Sequence, residues 1–281
     1  MRDDPSCYEV YALRYATLPE QRSPQNFLGG DPHDVAMPLD YFVWLIRSPE
    51  RVVVVDTGFD RETAAKRGRT HLRCPGETLR RLGVDPDAVR DVVVTHLHYD
   101  HCGNHALFPH ARFHVQDREM AYATGRCMTH GGLRAPFEAD DVVEMVRKVF
   151  AGRVVFHDGA KVLAPGIEVH RVGGHTDGLQ IVRVWTQRGW VVLASDASHF
   201  YANMEEERSF PLVYNVGDMI EGFRTAYRLA DGPDHVVPGH DPLVMRRYPA
   251  ANPYLEGVAV RLDADPLSLS GDAAPSAEHQ A

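Results

Sequence analysis

Cysteine is scarce in this chain. Cys7, Cys74, Cys102 and Cys127 are the four in 281 residues, and no two form a C-x-x-C pair. A disulfide framework or a thiolate metal site needs closer, regular spacing, so these four read as thiols of a cytoplasmic protein. Long apolar runs are missing too, and no stretch approaches the roughly 20 residues that span a bilayer. The opening Met1-Arg2-Asp3-Asp4-Pro5 is charged and no apolar segment follows it, which argues against a secretory leader. Basic runs are equally absent. Lys and Arg total 30 against 39 Asp and Glu, a formal net charge of −9. Phosphate backbones are held by clustered cations, so neither nucleic acid nor membrane is an expected partner.

The rest of the composition, 44% hydrophobic and 25% charged, suits a soluble globular protein with a substantial core. Apolar alternation or continuous apolar runs predict strands over residues 8–15, 41–46, 52–55, 92–94, 111–115, 167–172, 179–185, 190–194 and 235–237. The runs at 41–46 and 52–55 suit strands buried on both faces, with a hairpin turn at Ser48-Pro49-Glu50 between them. Helical spacing is read over residues 75–82, 117–123, 140–150 and 219–230. Strands in both halves with helices between them predict an α/β (α+β) fold of two sheets flanked by helices. No composition break divides the chain, so residues 1–262 are read as one domain. Residues 263–281, rich in Ala, Pro, Ser, Asp and Glu, are read as a flexible tail.

Histidine is what the chain has in quantity, 16 in all. His96-Leu97-His98-Tyr99-Asp100-His101 directly follows the strand at 92–95. Packed without a metal, these imidazoles would compete for few hydrogen-bond partners. A divalent ion resolves that conflict, because neutral imidazole and carboxylate are its ligands. His175 in Gly173-Gly174-His175-Thr176, Asp196 after Val191-Val192-Leu193-Ala194-Ser195, and His240 in Pro238-Gly239-His240 each lie just beyond an apolar strand. Small neighbours let the backbone approach a crowded centre. The other histidines fit no such constellation, although His33 and His130 are candidates to reach a substrate cleft.

The order H-x-H-x-D-H, then His, Asp and His, resembles the metallo-β-lactamase superfamily over roughly residues 8–250, and Asp56-Thr57-Gly58 is similar to a further signature of it. The resemblance implies an αββα sandwich with two metal ions at one edge. Carried over, it assigns His96, His98 and His175 to one ion and Asp100, His101 and His240 to the other, with Asp196 bridging. Such a pair shares and activates a water for attack on a carbonyl, and Asp100 is placed to steer it or take up a proton. Zinc is the default cation, with iron, manganese and cobalt suited to the same donors. Asp56 reads either as a carboxylate orienting a ligand imidazole or as a turn residue.

Within the superfamily, Tyr99-Asp100-His101-Cys102-Gly103-Asn104 and Asp196-Ala197-Ser198 look most similar to N-acyl-homoserine lactonase-like enzymes. Hydrolysis of a small, largely uncharged lactone or ester follows as the expected activity, and a homodimer as the expected assembly. The same metals acting on a cyclic amide, an activated aryl ether or a phosphoester are the alternative. Redox di-iron members are disfavoured by His98, where they carry an acidic residue, and a scaffold role by the intact ligand set. Arg246 and Arg247 are weak analogues of glutathione-binding residues. One departure stands out. Lactonases of this kind carry a tyrosine three residues past the bridging aspartate, where this chain has His199. His199 is the expected catalytic substitute, with Tyr201 as second candidate. Met37, Leu39, Tyr41, Phe200, Tyr201 and Phe210 are candidates for an apolar pocket, with Phe42 and Trp44 read as core. Residues 120–149 are read as helical packing or as a cap over the cleft.

Overall fold

The computed structural model describes residues 7–268. Its strands are β1 (Glu9–Leu18), β2 (Leu39–Arg47), β3 (Val52–Val55), β4 (Thr70–His71), β5 (Asp91–Val93), β6 (Arg112–Gln116), β7 (Val154–His157), β8 (Ala160–Ala164), β9 (Ile167–Arg171), β10 (Gln180–Thr186), β11 (Gly189–Ser195), β12 (Val236–Pro238) and β13 (Ala259–Arg261). Among the described residues they form two mixed sheets. The first runs β13-β1-β2-β3-β5-β6-β7 with β4 on β1, and the second runs β12-β11-β10-β9-β8. The β3–β5–β6–β7 ladder is parallel, as is β11–β12.

The apolar pattern dictates the layering. Strand β2 is buried along almost its whole length, and its side chains alternate between two cores, as the pleat requires. Phe42, Trp44 and Ile46 face the core shared with Val169, Ile181 and Leu193 of the second sheet. Tyr41, Val43 and Leu45 face the other core, with Ala64, Leu79 and Met145 from the helices Arg61–Arg67, Pro75–Arg81 and Ala139–Phe150. The helix Val216–Leu229 contributes Met219, Phe223 and Ala226 to the core of the second sheet. The result is helix, sheet, sheet, helix, as expected.

Local differences have physical causes. Helix Arg61–Arg67 lacks a clear apolar stripe, yet Asp60 caps it by accepting from Thr63 N at 2.8 Å and Gly68 closes it at φ +64°. Strands β7 and β8 lie at the sheet edges and are half exposed, so their sequences carry no buried run. The first residues of the segment read as a tail make contacts. Asp263 is buried and accepts from Val10 N at 3.1 Å, and Leu267 N donates to Arg247 O at 2.6 Å. Residues 269–281 lie outside the described residues. No described helix is long and apolar enough to cross a membrane.

Candidate metal centre

The ends of β3, β5, β11 and β12, with the turn between β9 and β10, meet at one edge of the sandwich. Each carries part of the histidine and aspartate constellation to a common point. The single turn Tyr99–Cys102 after β5 brings Asp100 and His101 round to the same side, and Tyr15 Oη holds it by donating to Asp100 O at 2.8 Å. The strand ends are tightly drawn together. Asp56 and Ser195 have φ of +64° and +46°, a region non-glycine residues seldom occupy outside functional sites. A Cβ on Gly239 would stand 2.6 Å from Asp196 Oδ1 and 2.8 Å from Ser195 C, so only glycine lets β12 pass so close to Asp196.

The structure brings together all seven residues singled out as ligands. Donor atoms of His96, His98 and His175 lie within 4.8 Å of one another, and those of Asp100, His101 and His240 do likewise. Asp196 stands between the sets. Its Oδ1 is 3.2 Å from His101 Nε2 and 3.1 Å from His240 Nε2, while Oδ2 is 3.3 Å from His175 Nε2 and 3.8 Å from His96 Nε2. Asp100 Oδ2 lies 3.6 Å from both His101 Nε2 and His240 Nε2.

Four of the rings are oriented from behind. His101 Nδ1 donates to Asp56 Oδ2 at 2.7 Å, His175 Nδ1 to Leu212 O at 2.6 Å, and His240 Nδ1 to Asp40 O at 2.8 Å. His96 Nδ1 meets Thr95 Oγ1 at 3.1 Å, and Asp56 fixes that threonine by accepting from its N and Oγ1. Of the two readings of Asp56, the geometry selects the orienting carboxylate. With these rear nitrogens engaged, the Nε2 of each of the four rings points inward, and His98 presents its Nδ1, 3.1 Å from His96 Nε2. The buried Nε2 atoms of His101 and His175 and Oδ1 of Asp196 have no aligned hydrogen-bond partner, although they approach one another. Buried polar atoms without partners are costly. Convergent imidazole nitrogens and carboxylate oxygens suit divalent cations, so the donor set fits the expected metals.

Electrostatics agree. Burial and the neighbouring imidazoles push His96 and His98 well below the ordinary histidine pKa, so both are neutral imidazoles. Burial opposes charge at His101 and His240 as well, but Asp196 and Asp100 outweigh it and raise both. Burial likewise disfavours the Asp196 carboxylate, yet His240, His101 and His199 hold its pKa well below the usual range. That carboxylate is a permanent anion demanding cationic company.

His199 faces the centre. Its Nε2 is 3.0 Å from Asp196 Oδ2, and its ring lies flat on Phe210 with centroids 3.4 Å apart. Burial lowers its pKa to about 4. Tyr201 is a correction. It opens the short helix Tyr201–Glu205, which turns its side chain into the inter-sheet core beneath the Arg247 guanidinium, 4.2 Å from the ring centroid. It lines cavities with Arg247, away from the cluster. The cleft over the cluster has a volume of about 310 Å³ and is lined by Leu39, Tyr41 and Phe210 of the expected apolar residues. Met37 and Phe200 line another cavity, and Phe42 and Trp44 are core. Ala135 and Pro136 from the helical segment edge the cleft, whereas Val142 is core. His33 and His130 are exposed and do not line it.

Sequence reasoning missed Glu119. This buried carboxylate accepts from Leu97 N at 2.8 Å, Thr176 Oγ1 at 2.6 Å and Gly178 N at 3.1 Å. It ties the loop of His96 and His98 to the loop of His175. Only its place in an acidic helix start was legible.

The family model of the metallo-beta-lactamase superfamily matches residues 37–248. The chain is 30% identical over 177 residues to the N-acyl homoserine lactonase AiiB of Agrobacterium fabrum, covering 57% of this chain and 63% of the relative. It is 25% identical over 187 residues to the N-acyl homoserine lactonase AiiA of Bacillus thuringiensis subsp. kurstaki, covering 61% and 69%. The match thus spans less than two thirds of the AiiB relatives' length. A crystal structure of a quorum-quenching N-acyl homoserine lactone lactonase superposes with a TM-score of 0.66 at 21% identity, covering 85% of this chain and 95% of that one. AidC, a dizinc quorum-quenching lactonase, gives 0.65 at 16% identity, covering 85% and 92%. At such identities the superpositions establish the fold.

Proposed function

Because the chain belongs to the metallo-beta-lactamase superfamily, we propose that it is a binuclear, metal-dependent hydrolase that opens a small lactone or ester. The observation that carries the reading is Asp196, whose two oxygens face two separate donor sets. His96, His98 and His175 would hold one cation and Asp100, His101 and His240 the other, with Asp196 placed between the two sets. Zinc is the expected metal. Similarity to the homoserine lactonases supports the lactone as substrate class.

When bound, such cations would supply an activated water near neutral pH and polarisation of the acyl oxygen. The chain's own residues do the rest. Asp56, Leu212 O and Asp40 O hold His101, His175 and His240 in the tautomer that leaves Nε2 free to ligate. Asp100, at the floor of the cleft, takes the proton released as water adds to the acyl carbon and returns it to the departing alkoxide. His199, with a pKa of about 4, is a neutral imidazole at pH 7. Its Nε2 stands 3.0 Å from Asp196 Oδ2 in the lining of the cleft, and an Nε2–H there would be released to the oxygens of the acyl group once the cations take up that carboxylate. Stacking on Phe210 fixes the ring there.

A panel of lactones and esters offered to the metal-loaded protein tests the reading. Ring opening is expected, with kcat lowered about 100–1000-fold in His199→Phe. No turnover on any ring size or chain length would refute it, and full kcat in His199→Phe would remove His199 from the chemistry.

A further inference from the structure

We propose that the cleft selects lactones or esters that also carry a carboxylate, and that Arg69 is the residue that holds it; this rests on the hydrolytic reading above. Two arginines line the wall of the cleft, Arg67 and Arg69. Arg67 is already committed: it pairs with Glu138 at 2.8 Å and donates to Ala135 O and Phe137 O. Arg69 is not. Its Nε donates to Tyr99 Oη at 3.0 Å and its Nη1 to Arg67 O at 2.9 Å, and among the described residues no carboxylate pairs with it. Both acceptors are neutral, and Nη2 has no protein acceptor among the described residues. A half-buried guanidinium with no paired carboxylate, on which only the more distant charge of Asp100 acts, in the wall of a substrate cleft, is a receptor for an oxyanion.

Rigid backbone holds it there. Arg69 sits between the left-handed cap Gly68 and β4, and its N donates to Ala64 O at 2.8 Å. Tyr99 Oη, its acceptor, lies 3.5 Å from Tyr41 Oη, and the Tyr41 ring stands edge-on to His240 with centroids 5.0 Å apart. An anion on Nη2 is therefore separated from the metal-facing imidazole by one layer of side chains, within the span of a small molecule. The wall offers one guanidinium edge, which matches a single carboxylate in charge and in fork geometry. Hydrolysis adds water across the acyl C–O bond, so a carboxylated lactone yields a hydroxy-dicarboxylate in which Arg69 holds the original carboxylate.

The test compares a small γ-lactone carboxylate with its carboxamide on metal-loaded protein. The wild type is expected to favour the carboxylate by about 30-fold in kcat/KM, the worth of one charge-assisted pair. Arg69→Met collapses that ratio toward one, and Arg69→Lys, keeping charge but losing the fork, leaves it in between. Calorimetry of the hydroxy-dicarboxylate gives an independent readout, with Kd rising at least 10-fold in Arg69→Met. A ratio unchanged by Arg69→Met, a wild-type preference for the carboxamide, or a stronger preference for a phosphorylated lactone would overturn the assignment. If neither lactone is opened, the hydrolytic reading fails, and the calorimetry alone decides: equal Kd in wild type and Arg69→Met rejects Arg69 as the anion site.

Discussion

Replacing Glu119 by glutamine strikes the joint between two metal-bearing loops. The carboxylate satisfies three buried donors, Leu97 N, Thr176 Oγ1 and Gly178 N. A glutamine keeps one acceptor oxygen and turns an NH2 toward the remaining donors. If the oxygen stays with the Thr176 and Gly178 side, Leu97 N is orphaned; if it faces Leu97, Gly178 N is, while the Thr176 hydroxyl turns to accept from the new NH2. A buried donor left without an acceptor costs about 1–3 kcal/mol, so Glu119→Gln loses about 1–3 kcal/mol. At about 2–4 °C per kcal/mol for a chain of this size, Tm falls by roughly 2–12 °C. The loss is local in character. Leu97 lies between His96 and His98, and Thr176 follows His175, so the site built on those three histidines loosens while the site on Asp100, His101 and His240 is kept. Thermal melting of the chelated protein reads the first effect, and stepwise metal titration by calorimetry reads the second. An unchanged Tm with two equally tight metals would show that Glu119 does not carry this load.

Further outcomes follow from the same contacts. Asp56→Asn keeps a residue tolerant of the observed φ of +64° but replaces the carboxylate behind His101 with an amide, so metal affinity at that site falls about 10–100-fold with little loss of fold; competition with a chromogenic chelator measures it. Gly239→Ala drives a Cβ into the space 2.6 Å from Asp196 Oδ1 and shifts the bridging carboxylate, lowering kcat about 100-fold in steady-state assays at saturating metal. Stability also depends on pH through histidines outside the metal cluster. Burial, reinforced by Lys148 and His114 respectively, lowers His105 and His157 to about 4. The unfolded chain takes up protons on them first as pH falls, so stability present above about pH 6.5 is lost between 6.5 and 4, by at most about 1.4 kcal/mol per pH unit for each group. Denaturant melts of His105→Gln and His157→Gln should show a shallower slope over that window.

How much of this was legible follows from what each element needs. Strands with two buried faces, such as β2, announce themselves as continuous apolar runs. Ligand residues fall at strand ends with short spacings, so the constellation was readable despite lying across half the chain. Tyr201 was misread because it is only two residues from His199, yet a helix begins between them and sends its side chain the other way. Glu119 and Arg69 were invisible for another reason. Each owes its role to a neighbour distant in sequence, Thr176 and Gly178 for one and Tyr99 for the other, and their local sequence is that of any helix start or solvent-facing turn. Edge strands β7 and β8 were harder to read, since their apolar stretches, Val154-Val155-Phe156 and Val162-Leu163-Ala164, are short and only partly buried.

The most direct measurement is elemental analysis of the full chain after metal reconstitution, set beside the Asp196→Ala variant. Two divalent cations per chain are expected in the wild type, with the second lost or weakened at least 100-fold once the bridging carboxylate is gone. A wild type that retains no stoichiometric metal, or a variant that binds both cations as tightly, would contradict the account.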